Sequence, residues 1–212
     1  MVADRLLHER LVPLYAGAKA RARTAFEAAM TIVPLATVPE AAVERLLDRA
    51  FGPERRQRTA YRVRAGTEAV EAFSFAALDA SGSLLGIIQT WPVLLATDSG
   101  ARVPMMMIGP VAVEPAIQRG GVGRALVARM LEAADASTLE GADALMLIGD
   151  PEYYGRFFGF SDAATARWRL PGPFEPRRLL ARGAGVEAAA GEVRSRPPAD
   201  QATFTPSAPH SN

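Results

Sequence analysis

The chain contains no cysteine. Disulfides, thiolate nucleophiles and cysteine metal sites are therefore excluded. Its two histidines, His8 and His210, sit near opposite ends of the sequence. A serine–histidine triad, a histidine base or a histidine metal site would have to borrow from those outlying segments. Lys19 is the sole lysine, so the Gly-Lys pair of a nucleotide phosphate loop is missing too. No apolar run approaches the roughly 20 residues needed to span a bilayer. Residues 1–10 are charged and carry no secretory pattern. Net charge is only +1 over 212 residues, too small for a field that gathers nucleic acid or an acidic membrane. These absences point to a cytoplasmic protein that engages neither and uses no metal.

What is present is an ordinary globular composition, 49% hydrophobic and 22% charged. Residues 1–30 read as a weakly helical extension, 31–182 as one domain, and 183–212 as a disordered tail too poor in large apolar residues to offset its ordering entropy. Within the domain, Thr31–Thr37 reads as a strand. A helix follows from about Val38 to Gly52, with Pro39 in its first turn and Val43, Leu46, Leu47 and Ala50 on one face. "PERRQRTAYRVRAG" reads as a second, charged helix whose basic run is a solvated face. "VEAFSFAALDA" and "LLGIIQTWPVLL" read as a hairpin, with Pro92 marking a bend or an edge. "VPMMMIGPVAVEP" reads as a long buried strand interrupted at Gly109-Pro110, a signal for a bulge or splay. The stripe Leu126, Val127, Met130, Leu131, Ala134 reads as a helix. "ALMLIGD" is a buried strand, "PEYYGRFFGF" a short helix entered through Pro151, and "ATARWRLPG" a last strand. The order implies an α/β layered sheet of mixed direction.

The segment "EPAIQRGGVGRALVARM" carries the chemistry. Gly120, Gly121 and Gly123 fall where the helix of the apolar stripe begins, with Arg119 and Arg124 beside them. A helix N-terminus offers unpaired N–H groups and partial positive charge. Glycines there let an anion reach the backbone, so the segment reads as a pyrophosphate cradle. The competing reading is a glycine turn that only lets the helix pack on a strand. A dinucleotide fingerprint fits less well, because Leu126 stands where its third glycine belongs. It keeps a Rossmann-like nucleotide-binding domain as a weaker alternative, with Asp150 imitating the ribose acid.

Gln118-x-x-Gly121-x-Gly123, with "VAVEP" before it and "LIGDPEYYGRFFGF" after it, resembles the acetyl-CoA site of GNAT-superfamily N-acetyltransferases. "GDPEYYGRFFGF" and "LPGPFEPRRLLAR" resemble a bacterial subgroup of predicted small-molecule acetyltransferases. The resemblance implies an acyl-CoA N-acyltransferase fold: a mixed, mostly antiparallel sheet with helices on both faces, splayed at its central strands. It implies that the backbone of Val111, Ala112 and Val113 binds pantetheine, with an N–H near Val113 on the thioester oxygen. It places the pyrophosphate on Gln118, Arg119, Gly120, Gly121, Val122, Gly123 and Arg124. It also implies a tyrosine that protonates the departing thiolate, Tyr154, with Tyr153 as the rival one residue away. The function implied is acetyl transfer from acetyl-CoA, as co-substrate, to an amine of a small-molecule or peptide acceptor. A non-catalytic acyl-CoA sensor is the alternative. The base that deprotonates the amine is left among Glu114, Glu71, Asp79 and a water chain. The acceptor pocket is expected from the first helices and the hairpin of residues 71–95, where Trp91, Phe73 and Phe75 read as core packing. Homodimerisation is left open.

Overall fold

A computed structural model of the chain describes residues 30–117 and 120–197. The proposed extension of residues 1–30 lies outside that range except for Met30, as do Gln118 and Arg119. The strands are β1 (Thr31–Pro34), β2 (Phe75–Leu78), β3 (Leu84–Thr97), β4 (Arg102–Val113), β5 (Leu145–Ile148), β6 (Trp168–Arg169), β7 (Leu179–Arg182) and β8 (Gly191–Ser195). The α-helices are α1 (Glu40–Phe51), α2 (Thr59–Val63), α3 (Val122–Asp135) and α4 (Pro151–Phe158).

The sheet runs β1-β2-β3-β4-β5-β7, with β8 joined to β3 and β6 joined to β8. Only β4–β5 and β6–β8 are parallel. The expected mixed, mostly antiparallel sheet is therefore present, and helices cover both faces. On one face α3 buries Leu126, Val127, Met130, Leu131 and Ala134 against β2, β3 and β4. On the other, α1 lays Val43, Leu46 and Leu47 on Ala76, Ile87 and Ala112. Val63 of α2 joins a third cluster with Met105, Met107 and Met146. The methionine run of β4 is core, as its flexible side chains suit.

Three expectations change. The charged helix after Pro53 is two pieces, a 3-10 turn at Pro53–Gln57 and then α2, separated by the extended Arg58. Its basic face is not uniformly solvated, since Arg55 and Arg64 are 2% and 6% exposed. The strand expected around "ATARWRLPG" is only the two residues of β6. The disordered tail does not begin at residue 183: β8 pairs from Gly191 to Ser195 with Thr97 to Val93. Val193 is fully buried there against β3. Composition alone misjudges this strand because its burial comes from a distant partner. The rest of the expected tail, from residue 198, lies outside the described residues.

Pro92 sits inside β3 and costs no ladder bond to β4. Its carbonyl accepts from Arg196 N–H at 3.2 Å, on the β8 side. The missing N–H faces the same side, at the point where the β2 pairing has ended and the β8 pairing begins.

Candidate functional site

The site begins with two irregularities in β4. Val111 lies opposite Ile88 but Ile108 opposite Thr90, so Gln89 faces both Gly109 and Pro110. This is the bulge that the Gly-Pro pair predicts. Second, β5 pairs with β4 only at Met106–Leu145 and Met107–Met146. Beyond those pairs no β5 residue is in register with β4, and a wedge opens between the strands.

Hydrogen-bond alternation fixes what faces the wedge. Met106 N–H donates to Ala144 O, on the β5 side, at 2.9 Å. Glu114 N–H donates to Leu85 O, on the β3 side, at 2.9 Å. Counting back from Glu114, Ala112 turns to β3, while the N–H groups of Val111 and Val113 turn to the side that β5 has left. A cavity of about 580 Å³ occupies the wedge, bordered by Ile108, Gly109, Val111, Gly149 and Tyr154.

Tyr154 comes to the wedge from α4. Asp150 caps that helix by accepting Glu152 N–H at 3.0 Å, Pro151 opens it, and Gly159 closes it in the left-handed conformation. The Tyr154 ring lies on Gly149: a Cβ on that glycine would stand 2.4 Å from the ring's Cε2. Burial pushes the Tyr154 hydroxyl up to about 12, with Tyr153 adding to the effect and Arg178 opposing it. Tyr153 does not border the cavity. It packs among Tyr154, Phe157 and Phe158, and burial raises its pKa against the pull of Arg124. Asp150 is used as a cap, so it is not the ribose acid of a Rossmann site, and the antiparallel sheet is not that fold.

The start of α3 lies beside the Val111 and Val113 side chains, and Gly121 is its N-cap at φ 85°, a conformation that strongly favours glycine. Val122 is fully buried beneath it. Gly123 follows, and among the described residues a Cβ there would meet only the Val113 and Val111 side chains at 3.4 and 3.8 Å, ordinary contact distances. Packing therefore does not require glycine at 123. Close packing of α3 is served instead by Gly86 of β3, where a Cβ would meet Ala112 O and Val122 Cγ1 at 2.9 Å. Gly120 N–H donates to Ile117 O at 2.8 Å and closes the turn before the helix. Arg124, in the first turn of α3, lies 5.9 Å from the Phe157 ring.

A second cavity, of about 810 Å³, lies between α1, α2 and β3 and includes Glu71, Ser74, Gln89 and Trp91. It is built from the segments expected to form the acceptor pocket. Trp91 lines it, whereas Phe73 and Phe75 are buried in the core. Tyr61, Arg55 and Arg64 border both cavities. In the sequence these arginines belong to a basic run that reads as a solvated face, whereas both are buried. The spacing Tyr61-x-x-Arg64, which puts both on one helical face, was the available signal.

The three candidate base carboxylates separate clearly. Glu114 is held by Arg49 of α1 at 2.8–3.2 Å. Asp79 accepts from the Ser81 hydroxyl and from the Ser81 and Ser83 backbone inside a turn, and those bonds hold its carboxyl below the ordinary range. Glu71 borders the second cavity, between α1, α2 and β3. Among the described residues no three His, Cys, Asp or Glu side chains converge on a metal-sized site, and no helix is long and apolar enough to cross a membrane.

A family model described as an acetyltransferase (GNAT) domain matches residues 35–161. The chain is also similar in structure to the GNAT family N-acetyltransferase YhbS from Escherichia coli, solved in complex with CoA. That match has 22% identity, covers 78% of this chain and 88% of the other, and has a TM-score of 0.58. A GNAT family acetyltransferase from Brucella melitensis, solved with acetyl-CoA, matches at 26% identity over 78% and 94% of the two chains, with a TM-score of 0.50. No protein of curated function matches the sequence.

Proposed function

Because the chain belongs to the GNAT acetyltransferase family, we propose that it transfers the acetyl group of acetyl-CoA to an amine by direct attack. The observation that carries this reading is the wedge. It offers two backbone N–H groups on one side and a half-buried tyrosine on the other, with a glycine-rich helix start beside the same strand.

The α3 N-terminus from Gly120 to Arg124, with Gln118 and Arg119 preceding it, receives the pyrophosphate. The strand Val111-Ala112-Val113 runs along the pantetheine, and a Val111 or Val113 N–H donates to the thioester oxygen. That oxygen gains charge as the amine adds, so a fixed donor stabilises the transition state more than the ground state. The C–N bond forms, the C–S bond breaks, and the Tyr154 hydroxyl donates its proton to the departing sulfur. The amine's own proton leaves to water or to Glu71. No covalent enzyme intermediate is required, which suits a chain without cysteine.

The test is thermal stability measured in parallel with acetyl-CoA, CoA and NAD, followed by CoA release from acetyl-CoA across an amine panel. At about 100 times its Kd, a ligand of the native state adds about 2.7 kcal/mol. A shift with acetyl-CoA and CoA, together with amine-dependent CoA release, is expected. A shift with NAD alone overturns the reading. Binding of CoA with no release for any amine selects the sensor alternative.

A further inference from the structure

Arg64 caps the C-terminal end of α2 and is 6% exposed. Its guanidinium lies 3.8 Å from the Tyr61 ring centroid and 4.3 Å from that of Trp91. It donates to Gly109 O, in the β4 bulge, at 3.3 Å, and it also bonds to Tyr61. Among the described residues no carboxylate pairs with it. Arg55, in the same wall, shows the contrast. Asp48 and Glu44 take its donors at 2.8 and 2.5 Å, and Tyr61 takes another. Burial works against the Arg55 charge, but these partners outweigh it and hold its pKa above the ordinary range. For Arg64 the balance runs the other way, and desolvation pulls its pKa down.

A guanidinium has five N–H donors in a planar fork, and a buried cation without a counter-charge is costly. We propose that Arg64 is the receptor for a carboxylate on the acceptor, so that the substrate is a small molecule carrying both an amine and a carboxylate, as a free amino acid does. The proposal rests on the acetyl-transfer reading above. Its geometry is specific: Arg64 borders both cavities, and its bond to Gly109 fixes it beside the wedge. An acceptor entering the larger cavity meets Arg64 before it reaches the acetyl group. The aromatic faces on the guanidinium direct its donors edge-on, the approach that a carboxylate meets with two parallel bonds. Trp91, whose ring packs on the guanidinium, lines the same cavity. Glu40, Glu44 and Glu71 border the larger cavity, and the Glu44 charge, though bonded to Arg55 and Arg56, also acts on Arg64. Their charge disfavours a bare anion but suits a molecule that carries both signs.

The experiment compares kcat/KM for amino acids and their carboxamides, paired one to one, by CoA release at saturating acetyl-CoA. Each carboxamide keeps the amine and the side chain and removes only the charge. The acid is expected to exceed its amide by about tenfold or more, the size of a hydrogen bond to a charged partner. In Arg64→Gln the ratio should fall to near one, with the Kd for acetyl-CoA unchanged, and Arg64→Lys should keep part of it. A parent ratio within twofold overturns the proposal. So does an Arg64→Gln variant that slows acid and amide equally, because that is the mark of a residue that only holds the bulge. If acetyl-CoA binds and no member of any pair is turned over, the carboxylate proposal falls while acetyl transfer to another acceptor stands. If acetyl-CoA does not bind, the acetyl-transfer reading itself falls.

Discussion

A general acid must still hold its proton when the leaving group needs it. Tyr154 meets that condition through burial, which raises its pKa to about 12. Removing the hydroxyl in Tyr154→Phe should lower kcat by about 100-fold or more and leave the acetyl-CoA Kd nearly unchanged, by steady-state kinetics and calorimetry. Tyr153→Phe should stay within about twofold of the parent, because Tyr153 packs among aromatic rings outside the cavity. The sign of the pH effect follows from the raised pKa. The protonated form persists above the ordinary tyrosine value near 10, so Tyr154 should impose no alkaline fall in kcat below about pH 11. A fall at pH 9 that Tyr154→Phe abolishes would refute the assignment. Gly149 offers a subtler test. A methyl group there would occupy the place of the Tyr154 ring, whose Cε2 is 2.4 Å away. Gly149→Ala should therefore imitate Tyr154→Phe in kcat with the hydroxyl still present. The sequence alone narrows the acid to two neighbours about 100° apart on a helix. Choosing between them requires knowing which ring lies on Gly149, in the turn before the helix, and that ring is Tyr154.

At the level of elements, two glycines near α3 have opposite jobs. Gly86 is there for packing, since its missing side chain lets α3 approach β3. Gly86→Ala should destabilise the fold by about 1–3 kcal/mol, by urea denaturation. Gly123 has room for a methyl group, and alanine in a helix is favoured over glycine by about 0.5–1 kcal/mol. Gly123→Ala should leave the fold as stable as the parent, or more so, yet weaken acetyl-CoA binding. Equal affinity in that variant would return the glycine to a conformational role. The glycine cradle, the apolar stripe of α3 and the Gly-Pro break in β4 were legible because each is a local pattern with a local cause. The break in the charged segment was not. Arg58 adopts an extended backbone, and Arg55 and Arg64 are drawn inward by α1 and by the Tyr61 and Trp91 rings. The Tyr61-x-x-Arg64 spacing hints at one of these contacts, but no periodicity announces the partners that α1 and β3 supply.

Across the whole molecule, the layered sheet followed from the order of apolar segments, and its splay from the Gly109-Pro110 break together with family resemblance. The strands after residue 178 did not follow. β7 and β8 are short, and β8 contains a single large apolar residue, Val193. That residue is nonetheless fully buried, because β3 extends beyond β2 and needs a second neighbour. Val193→Ala should cost about 2 kcal/mol while leaving acetyl-CoA affinity intact, since β8 meets the half of β3 away from the wedge. The pairing also bears on how the protein is made. Val93 and Ser195 are partners in the ladder but lie about a hundred residues apart. A ribosome adding roughly 5–20 residues per second leaves that half of β3 without its neighbour for roughly 5–20 s. Throughout that interval the nascent chain presents a bare, largely apolar strand edge, the feature most prone to pair with other chains. β8, the last strand among the described residues, thus closes an apolar edge that the chain has carried since β3 was made.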